Sequence, residues 1–390
     1  MFVAIDAVGI RSGGGPAVLC ELLHWLPVVR PDWTFHVFVL PRNQREFDDP
    51  PVAASVTLES VNAAQTDIDR LRWLAHRLPQ RVRQLGADVL FCFANIGCLR
   101  PAAPQVSYCH QMLAFHEELA GPNLYTRLRL RFIRLCLLRG AAASATVIVQ
   151  TEAMRREVLR AKPSLGDRIL VIPAGHRTSA DAFVVRPAKV RPLDEPGYPK
   201  LIYFAHLVEY KNHPVLVQAL RWIRAEFPEV KLFLSVDRRQ RQARRLLRVV
   251  EEAGVAPHVV WLGSLNPAEV NYSLSRSHLM VYPSLAESFG LPLVEAMAAG
   301  CPIAAADLPY AHEVAGGAAA YFDPCSPESL AQCVIQTLRA SFDHGWPAAT
   351  ARERSRLFDY SRITEAIAKV LEHSKPANIH LPEFAFIRGQ

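Results

Sequence analysis

The chain lacks any long apolar run. Among its 390 residues no stretch reaches the roughly 18–20 apolar residues that a membrane-spanning helix needs. The start, MFVAIDAVGIRSGGG, has no basic region ahead of an apolar core. It reads as a buried strand running into a glycine-rich turn, not as a signal peptide. Paired cysteines are missing too. Cys20, Cys92, Cys98, Cys109, Cys136, Cys301, Cys325 and Cys333 are scattered, none forms a CxxC pair, and no HExxH occurs. Buried free thiols in a reducing, cytoplasmic compartment are the expectation, with no metal site. Lysine is scarce, at seven, so the net charge of +7 is carried mostly by arginine. A basic balance favours acidic partners such as nucleotides, anionic lipid or nucleic acid. No recognised nucleic-acid motif accompanies the charge, so nucleic acid is not expected.

What is present is a packed α/β chain. Half of the residues are hydrophobic and the mean hydropathy is near zero. Short apolar runs such as MFVAID, TFHVFVLP, ADVLFCFA, QVSYCH and ATVIVQ alternate with helical stretches. That rhythm predicts a parallel sheet covered by helices on both faces. It breaks in a proline-rich segment beginning at 176, then resumes with KLIYFAHL, VKLFLSVD, HVVWLG, HLMVYPS and CPIAAAD. The predicted organisation is a domain over 1–175, a linker over 176–195, and a second domain over 196–360. A C-terminal helix and tail follow over 361–390, and these can return to the first domain. Two doubly wound, Rossmann-like domains would face each other across a cleft, with ligands at the carboxyl ends of the strands.

Two nucleotide-binding patterns are absent. A dinucleotide fingerprint would use Gly13 and Gly15, but its third glycine position is Val18 and the second strand ends at Leu40-Pro41 without an acid. No P-loop occurs. A glycine-rich turn remains, suited to phosphate or sugar hydroxyls near Gly14 and Gly15; a plain strand-to-helix turn is the simpler alternative. Asp67-Ile68-Asp69 matches a D-x-D metal pattern, but it lies in an amphipathic helix and reads as helix surface.

The stretch ESFGLPLVEAMAAG carries more chemistry. Pro292 suits a first helical turn and Gly300 a helix stop. Glu295 then sits about one turn inside the helix and Glu287 in the loop ahead of it. Free N–H groups near Gly290, Leu291 and Leu293 make an anion site at the helix start. Two carboxylates flanking an anion site suit a ligand with phosphate in the middle and hydroxyls at both ends, because ionised carboxylates only accept hydrogen bonds. A sugar nucleotide has that layout.

Glu287-Ser-Phe-Gly-Leu-Pro-Leu-Val-Glu295 resembles the E-x7-E signature of retaining glycosyltransferases, and the chain is similar to glycosyltransferase family 4, which has the GT-B fold. The likeness extends through HVVWLGSLNPAEVNYSLSRSHLMVYPS, CPIAAADLPYAHEVAGGAAAYFDP, ATVIVQTEAMRREV and ILVIPAG, nearly the full length. The resemblance implies that Glu295 binds the ribose hydroxyls. It implies that Glu287, Ser288 and the N–H groups of Phe289, Gly290 and Leu291 hold the transferred sugar and the diphosphate. Lys211 would neutralise the diphosphate. His206 stands where an arginine is common, and a neutral imidazole supplies less charge; Arg238 or Arg239 would have to compensate. His110 would contact the donor sugar, the simpler alternative being a structural histidine, and Gly263 to Leu265 would hold the base. Catalysis would rest on Glu287, His110 and Lys211.

The implied reaction is transfer of a sugar, with retention, from a nucleotide-diphosphate sugar to a hydroxyl of a glycan or lipid-linked acceptor, as in bacterial surface polysaccharide assembly. No metal or other cofactor is implied. The rival readings are a catalytically weak nucleotide-sugar-binding subunit and a sugar-nucleotide epimerase of the same fold. Arg127, Arg129, Arg131 and Arg134 lie among leucines in YTRLRLRFIRLCLLRG. They suit either an interfacial helix at the inner face of a membrane or an ordinary helix with a solvated arginine face.

Overall fold

The computed structural model describes residues 1–10, 14–41, 53–62, 66–176 and 188–374. The strands are β1 (Phe2–Asp6), β2 (Thr34–Val39), β3 (Val56–Ser60), β4 (Val89–Cys92), β5 (Gln105–Cys109), β6 (Thr146–Val149) and β7 (Ile169–Val171), then β8 (Lys200–Tyr203), β9 (Lys231–Leu234), β10 (Val259–Trp261), β11 (Leu279–Tyr282), β12 (Ile303–Ala306) and β13 (Ala320–Phe322). The α-helices are α1 (Gly14–Val29), α2 (Asp67–Arg72), α3 (Leu78–Leu85), α4 (Leu124–Ala142), α5 (Glu152–Ala161), α6 (His213–Glu226), α7 (Ala243–Glu252), α8 (Pro267–Arg276), α9 (Leu291–Ala299), α10 (Pro309–Ala315), α11 (Pro327–His344), α12 (Ala348–Ser355) and α13 (Tyr360–His373).

Two compact units result. One comprises 1–117, 124–176 and 358–374, the other 118–123 and 188–357. The first is built on a seven-stranded sheet of order β3-β2-β1-β4-β5-β6-β7, the second on a six-stranded sheet of order β10-β9-β8-β11-β12-β13. Every strand pairing in both is parallel. The expected pair of doubly wound α/β sheets is therefore present. Central strands are buried on both faces, as in Val3, Ala4 and Ile5 of β1 and Leu279 to Val281 of β11. They read as continuous apolar runs for that reason. In each sheet the strand order reverses beside the first strand, between β1 and β4 in one and between β8 and β11 in the other. Chain leaving the carboxyl ends there diverges to opposite faces and opens a crevice.

Local signals set most helix ends. Thr151 caps α5 by accepting from the Met154 N–H at 3.1 Å, and Asn266 and Glu269 form a reciprocal capping box at α8. Some elements escaped the sequence pattern. VTLES of β3 is an edge strand in which only Val56 is buried, so its alternation is weak. Helices α10 and α12 are short; α10 opens on Pro309 and α12 follows Pro347. Of the cysteines, all free, five are buried, Cys20 and Cys136 are partly covered, and Cys325 is exposed. The linker from 176 falls largely on residues outside those described, as do Gly13 and the tail after 374.

Two interactions hold the first unit closed. Helix α13 packs on α1, joined by the two bonds from Arg30 to Glu365 at 2.8 and 3.1 Å. The loop after β4 is sewn to α4 by the buried Gln105 amide. Its Oε1 accepts from the Cys98 N–H at 2.8 Å, and its Nε2 donates to the Ser144 hydroxyl at 2.9 Å and the Cys98 and Gly140 carbonyls at 3.2 and 3.3 Å. Gly140 lies so near this loop that a Cβ would come within 2.6 Å of the Gly97 backbone. Gly140→Ala is therefore expected to lower stability by about 1–3 kcal/mol through overpacking. Urea unfolding measures this, and an unchanged midpoint would mean that the loop yields freely.

Candidate active site

In the second unit, the loops after β8 and β11 converge at the switch point. Lys211 ends a short 3₁₀ turn, Glu209–Lys211, and Asn212 follows in a left-handed conformation at φ 54°. Tyr203 in β8 fixes this turn by donating to the Lys211 carbonyl at 2.8 Å. The Tyr210 carbonyl accepts from the Leu285 N–H at 2.8 Å, which ties the turn to the loop after β11. Lys211 then pairs with Glu287. The same carboxylate oxygen, Oε1, also accepts from the Ser284 hydroxyl at 2.6 Å and the Tyr282 hydroxyl at 2.8 Å. Tyr310 donates to the Ser284 carbonyl at 2.7 Å behind it.

Three donors, from Lys211, Ser284 and Tyr282, thus converge on one oxygen of Glu287. Burial, and next the Glu287 charge, push the hydroxyls of Tyr203, Tyr210, Tyr282 and Tyr310 up, that of Tyr210 to about 12. They therefore stay protonated and available as donors. His213 lies beneath, its ring centroid 4.8 Å from that of Tyr203, with neither ring nitrogen hydrogen-bonded. Burial, then the Lys211 charge, lower its pKa to about 4, so it adds no charge.

Helix α9 starts just after this carboxylate. Gly290 adopts φ 99°, and a Cβ there would come 3.2 Å from Leu293 Cδ1, which favours glycine on both counts. The Leu293 N–H is not free, since it donates to the Gly290 carbonyl at 2.9 Å. The N–H groups of Gly290 and Leu291 have no partner among the described residues, and Pro292 has no N–H to offer. Ser288 is half-buried and Phe289 buried. Glu295 follows one turn on. It is half-buried, and no hydrogen bond reaches its carboxylate among the described residues. Burial pushes its pKa up to about 7.

The remaining residues of this unit are more open. His206 is exposed, and its side chain has no hydrogen bond among the described residues. Arg239, expected to compensate for it, is exposed and bonded to Asp237 at 3.2 Å, and Arg238 is exposed. Gly263 is left-handed at φ 71° with open space where a Cβ would be. Leu265 is half-buried, and the Ser264 carbonyl accepts from Lys189 at 2.6 Å.

The first unit brings a different group together at its own switch point. Asn95, after β4, is left-handed at φ 74°. Its Oδ1 accepts from the His110 N–H at 2.7 Å and its Nδ2 lies 3.2 Å from His110 Nε2. This arrangement leaves the ring proton on Nδ1, which is buried and has no partner. Burial, and then the Arg70 charge, lower the His110 pKa to about 4, so it is a neutral donor near pH 7. Arg70 was hidden in the sequence beside Asp69. Its guanidinium lies over Gly9, where a Cβ would come within 1.2 Å, donates to the Ala94 carbonyl at 2.7 Å, and stands 4.0 Å from the buried Asp6. Trp73 donates to Asp6 at 2.9 Å. Burial raises the Asp6 pKa, with Arg70 and Trp73 opposing it. Gly14 opens α1 and is exposed. A Cβ at Gly15 would come 3.3 Å from Ile10.

Three of the four arginines expected to meet a membrane are engaged within the protein. Arg129 pairs with Asp67 at 2.6 Å, and Arg131 and Arg134 pair with Glu117 at 2.7 and 3.3 Å. No helix among the described residues is long and apolar enough to cross a membrane, and no cluster of three or more His, Cys, Asp or Glu there is placed to hold a metal ion.

Comparison with known proteins adds an independent line. The family model for glycosyltransferase family 4 matches residues 12–180, and that for glycosyl transferases group 1 matches residues 186–350. The O-antigen chain mannosyltransferase B of Escherichia coli is 24% identical over 62% of this chain and 63% of that protein. A phosphatidyl-myo-inositol mannosyltransferase of Mycolicibacterium smegmatis is 32% identical over 43% of each. The chain thus spans less than two thirds of the length of these relatives. The crystal structure of Anabaena HepE in complex with UDP-glucose superposes with a TM-score of 0.73, covering 95% of this chain and 99% of that one at 19% identity. Likeness at that level shows the fold, GT-B.

The Glu295 carboxylate has a stability signature. Its pKa rises from 4.5 to about 7 on folding, so the folded state binds the proton more tightly. Its stabilising contribution is complete below about pH 4.5 and is lost as pH rises through about 7. Allowing for its partial exposure, Glu295→Gln is expected to be more stable than the parent by about 1–3 kcal/mol at alkaline pH, the gap closing in acid. Denaturant unfolding across that range tests the sign.

Proposed function

The chain belongs to glycosyltransferase family 4, and on that premise we propose that it is a retaining enzyme. It moves a sugar from a nucleotide-diphosphate donor to a hydroxyl of a glycan or lipid-linked acceptor at the cytoplasmic face of a membrane, in surface polysaccharide assembly. The observation that carries this reading is the Lys211–Glu287 pair ahead of the open start of α9, with Glu295 unbonded one turn behind. The named activities of the two relatives, transfer of mannose to O-antigen chains and to phosphatidyl-myo-inositol, support such acceptors.

Each group has an assigned task. Glu295 accepts from the ribose hydroxyls and ionises as it does so. Gly290 and Leu291 donate their N–H groups to the diphosphate. Negative charge grows on the bridging phosphate oxygen as the sugar becomes oxocarbenium-like, and fixed donors there lower the barrier without reorganising. Lys211 is the cation of this set, and donor binding draws its ammonium from Glu287 towards phosphate. No metal is assigned a part. A carboxylate nucleophile is one route to retention. Glu287 is better suited to positioning, since one of its oxygens already serves three donors. The departing phosphate then accepts the acceptor's proton on the same face of the sugar. The neutral Nδ1–H of His110 donates to a sugar hydroxyl. His206, Ser288, Phe289, Gly263, Leu265, Gly14 and Gly15 complete the donor-binding set.

Thermal unfolding with nucleoside diphosphates, their sugar conjugates and NAD tests the assignment. A ligand at about 100 times its Kd should add roughly 2.7 kcal/mol, and each kcal/mol is worth about 2–4 °C. One nucleotide sugar should shift the parent protein and leave Glu295→Ala unmoved. Its affinity should rise about tenfold between pH 6 and 8 as Glu295 loses its proton. Lys211→Met should lower kcat by roughly 10²–10³, and Glu287→Gln should keep substantial activity. A shift with NAD alone, or with no nucleotide, would overturn the reading.

A further inference from the structure

Helix α4 differs from an ordinary surface helix in being apolar on two sides. Its inward side is lined by Leu130, Leu137, Gly140 and Ala141, all buried. Its outward side is also apolar. Leu124, Tyr125, Leu128, Phe132 and Leu135 have relative exposures from 44% to 75%. Positions 124, 128, 132 and 135 follow the 3–4 spacing of one helix face, and Tyr125 adjoins it. Single exposed apolar residues are normal, but a contiguous stripe of five marks a surface that meets something other than water.

The cations define the partner. Arg131 and Arg139 point out along the same face and are exposed. Arg127 and Arg139 have no ion-pair partner among the described residues. Five arginines on α4 meet two bonded carboxylates, Asp67 and Glu117, which leaves a surplus of three positive charges. A second copy of the chain fits this face poorly. Symmetric pairing would set the surplus arginines of both copies against each other. An anionic bilayer surface fits it well. Leucine and phenylalanine can enter the boundary between headgroups and acyl chains, tyrosine favours that boundary, and guanidinium groups reach up to lipid phosphates.

We propose that the outward face of α4 docks the protein, reversibly, on an anionic membrane surface. The contact lies on the bilayer and does not span it. The apolar stripe supplies depth, and Arg127 and Arg139, which have no ion-pair partner among the described residues, supply charge selection. This deepens the lipid-linked-acceptor reading and rests on it for its purpose. The test uses neither donor nor acceptor, so its failure is separable from a failure of sugar transfer.

The full chain is sedimented with vesicles of phosphatidylglycerol and phosphatidylcholine, and with phosphatidylcholine alone, at about 0.1 M salt and at severalfold higher salt. Binding is expected to the anionic vesicles only, and to weaken with salt. Arg127→Gln and Arg139→Gln should each lower the partition coefficient about fivefold. The double variant Leu128→Ser/Phe132→Ser should lower it at least about tenfold. Because Leu128, Phe132 and Arg139 are exposed and Arg127 is half-buried without an ion-pair partner among the described residues, thermal midpoints should stay near the parent value, which separates lost docking from lost folding. Three results would overturn the proposal: no binding to either vesicle, unchanged binding by folded variants, or a solution dimer that the double variant disperses.

Discussion

The pairing of Lys211 with Glu287 is the interaction on which the second unit's site depends. It joins two loops that leave neighbouring parallel strands, β8 and β11, and that would otherwise diverge. A parallel sheet supplies no hairpin at this end to hold them. Tyrosines from the sheet and its flanks do that work, Tyr203 through the Lys211 carbonyl, Tyr282 through Glu287 and Tyr310 through the Ser284 carbonyl. Burial keeps these phenols protonated, so the same low-polarity surroundings that make a bare charge costly also preserve the donors that stabilise it.

The two carboxylates, Glu287 and Glu295, consequently differ in kind. Glu287 takes three donors on one oxygen, whereas Glu295 is half-buried and bonded to nothing among the described residues. One is preorganised, and the other is left open to donors. A site that keeps one acceptor unsatisfied gives up stability for recognition, since the missing bonds are those a ligand supplies.

Much of this was readable from the chain. The alternation of apolar runs with helical stretches predicts both sheets, because strands buried on both faces must be apolar throughout. Pro292 and Gly300 mark the helix that carries Glu295. The partners of Glu287 were not readable. Tyr282 is the last residue of a core strand, and nothing local separates a tyrosine that packs from one that also donates. Arg70 was hidden for a similar reason. The Asp67-Ile68-Asp69 run does form helix surface, with Ile68 exposed and Asp69 in a cap, but the next residue turns inward. What admits Arg70 is the missing Cβ of Gly9, sixty-one positions earlier. Contacts of that range belong to the fold, not to any window of sequence.

The packing of α13 on α1 has a consequence for how the protein is made. Helix α13 covers α1, yet the two stand at opposite ends of the described chain, and the whole second unit is synthesised between them. Unit two has its full complement of residues at 357, before α13 has been translated. Through that interval the leucines of α1 that α13 will cover have no permanent neighbour on that side. Nascent chain order therefore inverts spatial order: the unit begun first is the unit completed last, and its apolar helix is the surface that a ribosome-associated chaperone would meet.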